Sequence, residues 1–281
     1  MAEMTLKKAW EYGKSRLEVV GIEEATLDAW YLLEWTTGVS KARYFMDPSK
    51  SLNDDEWKKF EDGIERRANR IPLQHITGEQ EFMGLPFHVN ESVLIPRQDT
   101  ESLVEEALKL IRPGMKVMDM CTGSGCIAIS IGKLKNVDVT AVDISPKALE
   151  VARENAKNLG ASNVTFIESN LFEKLKEDST SKNCKKYDII VSNPPYIKSL
   201  DIEELMVEVK EHEPRLALDG DEDGLKFYRT ITEETKDFLK SGGYLLYEIG
   251  CDQGEDLRNI MAENGFTDIE IIKDLAGLDR V

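Results

Sequence analysis

From Thr5 to about Arg70 the apolar residues recur at intervals of three and four: Leu6, Ala9, Trp10 and Leu17, then Leu27, Ala29, Trp30 and Leu33, then Trp57, Phe60, Ile64 and Ala68. That period puts them on one face of successive helices and predicts a small helical bundle. Thr5 and Asn53 stand where N-caps belong, Gly21 and Gly38 where helices stop, and Pro72 closes the last helix. Trp10, Trp30, Trp35 and Trp57 read as bundle core rather than as a ligand cage, because large aromatics at this spacing are the usual filling of a short-helix bundle.

Between Gln80 and Ile95 the run "QEFMGLPFHVNESVLI" changes to alternation, the pattern of a β-hairpin with "VNES" as its turn. After it comes an amphipathic helix capped by Asp99 or Thr100, and then short apolar runs alternating with helical stretches. "KVMDM", "VDVTAVD", "NVTFIE", "YDIIVSN", "GYLLYEIG" and "DIEIIKD" are the strands, with helices at 146–159 and 254–264 among those between them. Strand and helix in alternation predict an α/β fold with a doubly wound, Rossmann-like sheet. The expected organisation is an all-α bundle over residues 1–78, a β-hairpin linker over 79–96 and the α/β domain over 97–281. The polar run "KEDSTSKNCKK", 176–186, reads as a surface loop.

Composition adds exclusions. The 281 residues suit one large and one small domain, and 41% hydrophobic with 32% charged residues is a folded, globular balance. A net charge of -17 speaks against attraction to a phosphate backbone, and residues 1–80, with 12 basic and 15 acidic side chains, add no basic arm. Most of the acidity therefore lies in the α/β part. Cys121, Cys126, Cys184 and Cys251 form no CxxC pair and have no His at ligand spacing, so neither a zinc site nor a disulfide framework is expected. With no apolar leader at the N-terminus and no run near the ~18 residues that cross a bilayer, the reading is cytoplasmic.

"VMDMCTGSGCIAIS" places Asp119 near the end of the first sheet strand, Gly123 and Gly125 in the turn and an apolar helix behind them. Glycine lets the backbone approach a ligand, and a helix N-terminus offers unpaired N–H groups, so this corner suits a nucleotide-like cofactor. Asp143 ends the next strand about twenty residues on, where a carboxylate can accept both hydroxyls of a ribose. Gly123, Gly125 and Ala128 also satisfy the relaxed dinucleotide fingerprint, which keeps a nicotinamide enzyme open. Such an enzyme should carry a general acid or base in the later loops. His75, His88 and His212 all lie outside the strand ends and read as packing or surface residues.

Asn193-Pro194-Pro195-Tyr196 follows "YDIIV", the fourth sheet strand by order, and in such sheets ligands sit beyond the carboxyl ends of strands. The prolines fix their own φ and push Asn193 toward extended geometry. A planar NH2 group attacks carbon poorly because its lone pair is delocalised. If the Asn193 side-chain oxygen and the Pro194 carbonyl each accept one N–H, that nitrogen is aimed at a methyl donor and its developing positive charge meets fixed dipoles. Tyr196 can pack on the flat target group, and no strong base is required.

Glycine loop, Asp143 and NPPY together resemble the S-adenosylmethionine-dependent amino-methyltransferases of class I fold, which methylate nucleobase amines and glutamine side chains. "PLQHITGEQEFMGLPFHVNESVLIPRQDTESLVE", "EHEPRLALDGDEDGLKFYR" and "KDLAGLDRV" extend the likeness, over essentially the whole chain, to the bacterial release factor glutamine methyltransferase family. The resemblance implies methyl transfer from S-adenosyl-L-methionine to the glutamine amide nitrogen in the GGQ loop of class 1 peptide chain release factors. It implies that Cys121, Thr122, Gly123, Ser124 and Gly125 cradle the cofactor's amino acid part, that Asp143 holds the ribose and that Asp119 and Ile144 also belong to the cofactor site. Asn170 and Leu171 would lie near the adenine, Arg97 and Thr100 in "IPRQDTE" would seal the pocket, and Asn193 would border the cofactor. Asn193, Pro194, Pro195 and Tyr196 would bind the glutamine, with Asn193, Pro194 and Tyr196 catalytic and Glu213-Pro214 shaping the far wall. No metal is implied. The family usually has glycine where Cys121 stands and an acidic residue where Asn170 stands. A nucleobase amine methyltransferase, a glutamine methyltransferase acting on a ribosomal protein and a non-catalytic binding protein of the same fold are the alternatives, the first disfavoured by the acidic charge and the last by the intact NPPY.

Overall fold

The structure, a computed structural model, describes residues 3–178 and 186–281. The chain divides into two compact units, one of Met1–Gly78 with Val207–His212 and one of Glu79–Met206 with Glu213–Val281.

The smaller unit is helical: α1 (Leu6–Val19), α2 (Ala25–Thr37), α3 (Lys41–Met46), α4 (Asp54–Ala68) and α5 (Leu73–Thr77). Thr5 accepts from the Lys8 N–H at the start of α1, and Asn53 forms a reciprocal capping box with Glu56 at the start of α4. Gly38 ends α2 in the left-handed conformation. Pro72 does not close α4, which ends at Asn69; it opens α5, where a missing N–H costs nothing. Leu32, Leu33, Phe60 and Ile64 are fully buried, Trp30 is buried, and Trp10, Trp35 and Trp57 pack half-buried against them. Trp10, Trp30 and Tyr44 meet edge to face with centroids 5.4–5.9 Å apart. Gly13 on α1 is required by packing, since a Cβ there would lie 2.7 Å from Ile64 Cδ1.

The larger unit opens with a hairpin of β1 (Glu79–Phe82) and β2 (Leu85–His88). Its turn is Met83-Gly84, both at positive φ, and not "VNES". A two-residue turn of this kind matches the strand twist and leaves Phe82 and Phe87 together in the core, which a later turn would not. Then follow α6 (Thr100–Leu110), β3 (Lys116–Met120), α7 (Cys126–Lys135), β4 (Asp138–Asp143), α8 (Pro146–Leu159), β5 (Val164–Glu168), α9 (Glu173–Asp178) and β6 (Tyr187–Ser192). The short α10 (Val207–His212) belongs to the helical unit, and α11 (Lys226–Phe238), β7 (Leu239–Tyr247) and α12 (Gly254–Glu263) complete the chain. Most of the expected loop over 176–186 lies outside the described residues, and its first residues end α9.

The five sheet strands are all parallel in the order β5-β4-β3-β6-β7. Alternate residues serve two cores, so the strands are apolar on both faces. Val117, Val139, Ile189 and Val191 meet α6, α7 and α8, whereas Met118, Val142, Ile190 and Leu245 meet α11 and α12. "DIEIIKD" adds no strand to this sheet. Ile272 instead exchanges backbone hydrogen bonds with Arg280 and Val281, so the segment pairs with the chain's own last residues. Strand order reverses between β3 and β6, and the ends of both strands open on the same side, where such sheets bind ligands.

Candidate active site

Beneath the turn after β3, Asp119 is fully buried; its Oδ2 accepts from the Thr122 hydroxyl at 2.5 Å and the Ala128 N–H at 3.1 Å. Burial pushes this carboxyl up to about 7 against both bonds. It ties the glycine turn to the start of α7. Gly123 and Gly125 both lie at positive φ, as does Cys121, which takes the strain that glycine would avoid. A Cβ on Gly125 would strike Ile129 Cδ1 at 2.9 Å and Ala152 Cβ at 3.1 Å, so this glycine lets α7 approach α8. Nothing lies within 4 Å of a Cβ on Gly123, where the backbone borders open space.

Asp143 faces that turn from the end of β4. Its Oδ2 accepts from the Gly123 N–H at 2.8 Å and its Oδ1 from the Ser145 N–H at 2.9 Å. Both oxygens are thereby fixed, each with a further lone pair to offer. Burial raises its pKa, and the backbone hydrogen bonds from Ser145, Gly123 and Ile144 pull it down.

These elements enclose a cavity of about 320 Å³. Its wall brings together Arg97 and Thr100, Cys121 through Ser124, Asp143 and Ile144, Asn170 and Leu171, and Asn193 with Pro195. Asp119, Gly125, Pro194, Tyr196 and Glu213 are not among its lining residues; Asp119 and Glu213 support lining residues through Thr122 and Arg97. Asn170 is exposed and donates from Nδ2 to Glu173 Oε1 at 2.8 Å, so the asparagine is tied to an acid on the next helix. Arg97 donates through Nη2 to both oxygens of Glu213 at 2.8 and 2.7 Å, and the Ile95 N–H reaches the same carboxylate at 3.4 Å. This pair pins "IPRQDTE" to the segment that carries Pro214, which is itself on the wall.

The corner after β6 is held from several sides. Ser192 donates through its hydroxyl to the Met120 carbonyl at 2.7 Å, joining the ends of β6 and β3. Asn193 Nδ2 donates to Thr100 Oγ1 at 3.4 Å, which leaves Asn193 Oδ1 as the free acceptor. Gln253 Nε2 donates to the Tyr196 carbonyl at 3.1 Å, and the Tyr196 hydroxyl donates to Glu248 Oε1 at 3.3 Å. Gly220 passes so close that a Cβ there would lie 2.8 Å from Tyr196 Cα.

Glu248, Gln253 and Gly220 escaped the reading of the sequence. A signal for Glu248 was present, an acid just past an apolar strand, as with Asp143. Gly220 stood in the glycine-rich "DGDEDGL"; nothing local marks Gln253.

Residues 8–78 match the family model described as the PrmC N-terminal domain, and residues 111–274 match that of a methyltransferase domain. The release factor glutamine methyltransferases of Geobacter sulfurreducens and Clostridium acetobutylicum are each 42% identical to this chain, over 99% of it and over 95% and 97% of their own lengths. That of Caulobacter vibrioides is 38% identical over 99% of this chain and 95% of its own. With both units matched and the likeness running nearly end to end, this chain belongs to the release factor glutamine methyltransferase family.

Proposed function

We propose that this protein transfers a methyl group from S-adenosyl-L-methionine to the side-chain amide nitrogen of the glutamine in the GGQ loop of class 1 peptide chain release factors. The observation that carries the reading is the Asn193 corner: a stiffened turn on the cavity wall whose amide is oriented by Thr100 with Oδ1 left to accept.

The residues present fit the cofactor. Two carboxylate oxygens of Asp143, fixed by backbone N–H groups, suit paired ribose hydroxyls, and the bare backbone at Gly123 leaves room for the amino acid part. Ile144, Asn170 and Leu171 would border the adenine, with Arg97 and Thr100 closing the wall. When bound, the cofactor supplies an electrophilic methyl on a sulfonium. Asn193 Oδ1 and the Pro194 carbonyl would each accept one hydrogen of the glutamine amide, fixing the nitrogen's direction and meeting its developing positive charge with dipoles that need not reorganise. Tyr196, held at its hydroxyl by Glu248 and at its carbonyl by Gln253, would back the corner rather than move a proton. Glu213 acts through Arg97 to shape the wall.

The helical unit would supply recognition surface for the rest of the release factor. A net charge of -17 disfavours direct nucleic acid binding, and no helix among the described residues is long and apolar enough to cross a membrane. A cytoplasmic place beside the translation machinery follows from this reading. Incubation with cofactor and, in turn, release factor, ribosomal protein and DNA tests it by mass spectrometry. One methyl on the GGQ glutamine is expected; methyl appearing only on ribosomal protein or DNA overturns it.

A further inference from the structure

We propose that Arg280 is a positioning residue for the cofactor cavity: anchored by the turn within "KDLAGLDRV", it holds Asp99 and, through it, the stretch 96–100 that forms part of the wall. The inference rests on the reading of that cavity as the cofactor's site.

None of the described residues lining the cavity belongs to "KDLAGLDRV", yet that segment is tightly bonded. The Asp274 N–H donates to the Leu278 carbonyl at 2.8 Å, and Asp274 Oδ1 accepts from the N–H groups of Ala276 and Leu278 at 2.9 and 3.0 Å. One carboxylate oxygen therefore builds the turn. The other, Oδ2, accepts from Arg280 Nε and Nη2 at 3.3 and 3.1 Å. Arg280 is fixed through its backbone as well: its N–H donates to the Ile272 carbonyl and its carbonyl accepts from the N–H of Ile249, just past β7, each at 2.9 Å. Val281 is buried in the core, and a Cβ on Gly254 at the start of α12 would lie 2.5 Å from Asp279 Oδ2, so the segment is packed closely on both sides of the arginine. The Arg280 side chain, 12% exposed, is thereby set in one place.

Nη2 carries two hydrogens, and besides Asp274 it lies 3.1 Å from Asp99 Oδ2. Asp99 stands at the N-cap of α6, where an aspartate ordinarily accepts from an N–H of the first turn. Its side chain makes no such capping bond with the described residues. The carboxylate is turned to Arg280 instead. Around it in the chain, Pro96, Arg97 and Thr100 line the cavity, and Arg97 is bound to Glu213. This stretch is thus held by two ion pairs of opposite sense, offering a cation to Glu213 and an anion to Arg280. A wall fixed before the cofactor arrives spares part of the ordering cost of binding.

Asp99→Asn keeps the size of the side chain and removes its charge, and Arg280→Met keeps the stem and removes the guanidinium. Each should weaken S-adenosylmethionine binding, read by calorimetry, about 5-fold, the upper range for an ion pair with one exposed partner. The two changes together should cost little more than either alone, since both undo one contact. With intact release factor, KM for the cofactor should rise by a like factor while kcat at saturating cofactor stays within about twofold, the pattern of lost uniform binding. The thermal midpoint of cofactor-free Asp99→Asn should match wild type, because that carboxylate is half exposed. Unchanged affinity in Asp99→Asn, additive losses in the double variant, or a fall in kcat with affinity intact overturns the inference. If Arg280→Met does not fold, Asp99→Asn decides alone. Asp143→Asn, run alongside, separates the two levels, because full affinity there removes the reading of the cavity itself.

Discussion

Asp143 receives backbone hydrogen bonds on both oxygens, from Gly123 and Ser145, so an asparagine there must turn its NH2 against one of those N–H groups. Asp143→Asn should weaken S-adenosylmethionine binding about 10–100-fold, the range for a lost hydrogen bond to a charged group with a buried donor left unmet; calorimetry checks it, and unchanged affinity would remove the ribose role. Asp119 gives a prediction in pH. Folding holds its carboxyl protonated up to about 7, whereas in an unfolded chain it ionises near ~4. Between those values the folded state keeps a proton that the unfolded state has lost, so this residue's contribution to stability declines as pH rises from about 4 to about 7. Asp119→Asn cannot ionise and lacks that decline. In urea unfolding at a series of pH values, the variant should gain on the wild type as pH rises across the window; a constant difference would mean that Asp119 is ionised throughout. Sequence marked both acids by their places at strand ends. It could not tell that one faces the cavity and the other lies under the turn, because that depends on how deeply each strand end is covered.

At the scale of elements, α10 shows how a distant stretch of chain completes a bundle. Arg67 on α4 donates to Asp28 on α2 at 2.7 Å and to Glu208 on α10 at 2.9 Å, and Arg70 reaches Glu208 at 3.2 Å. Arg67, Asp28 and Glu208 are all buried. Removing the arginine leaves two buried carboxylates with little compensation. Arg67→Met should therefore destabilise the helical unit by about 3–5 kcal/mol, the usual cost of breaking a buried pair from one side, read as a lower urea midpoint; a shift within error would show that water replaces the guanidinium. Apolar periodicity announced α1, α2 and α4 because each carries its own buried stripe. It was silent on α10, a single turn and a half whose attachment rests on ions contributed by other helices. The hairpin turn was misplaced for a related reason: alternation alone fits either turn, and the burial of Phe82 and Phe87 together selects Met83-Gly84.

For the whole molecule, a cavity of about 320 Å³ is small, near the low end of ~300–1,000 Å³ for small-molecule sites. A cavity of that size cannot enclose more than a small part of a protein substrate, so affinity for such a substrate must come from surface outside it. A short peptide carrying GGQ should be methylated with a KM at least about 10-fold above that of the intact release factor, equivalent to about 1.4 kcal/mol of binding made elsewhere; equal KM values would place all recognition within the cavity. The sequence by itself determined the two-part layout, the parallel α/β sheet, the glycine turn with its cavity-facing acid and the NPPY corner, because each depends on residue types at short spacing that act through the local backbone. Only the tertiary structure decided that Asp119 supports rather than lines the cavity, that Val207–His212 completes the helical unit and that Glu248, Gln253 and Gly220 converge on Tyr196. Those arrangements join residues far apart in the chain, and no local pattern records a contact whose partners meet only when the strands and helices pack.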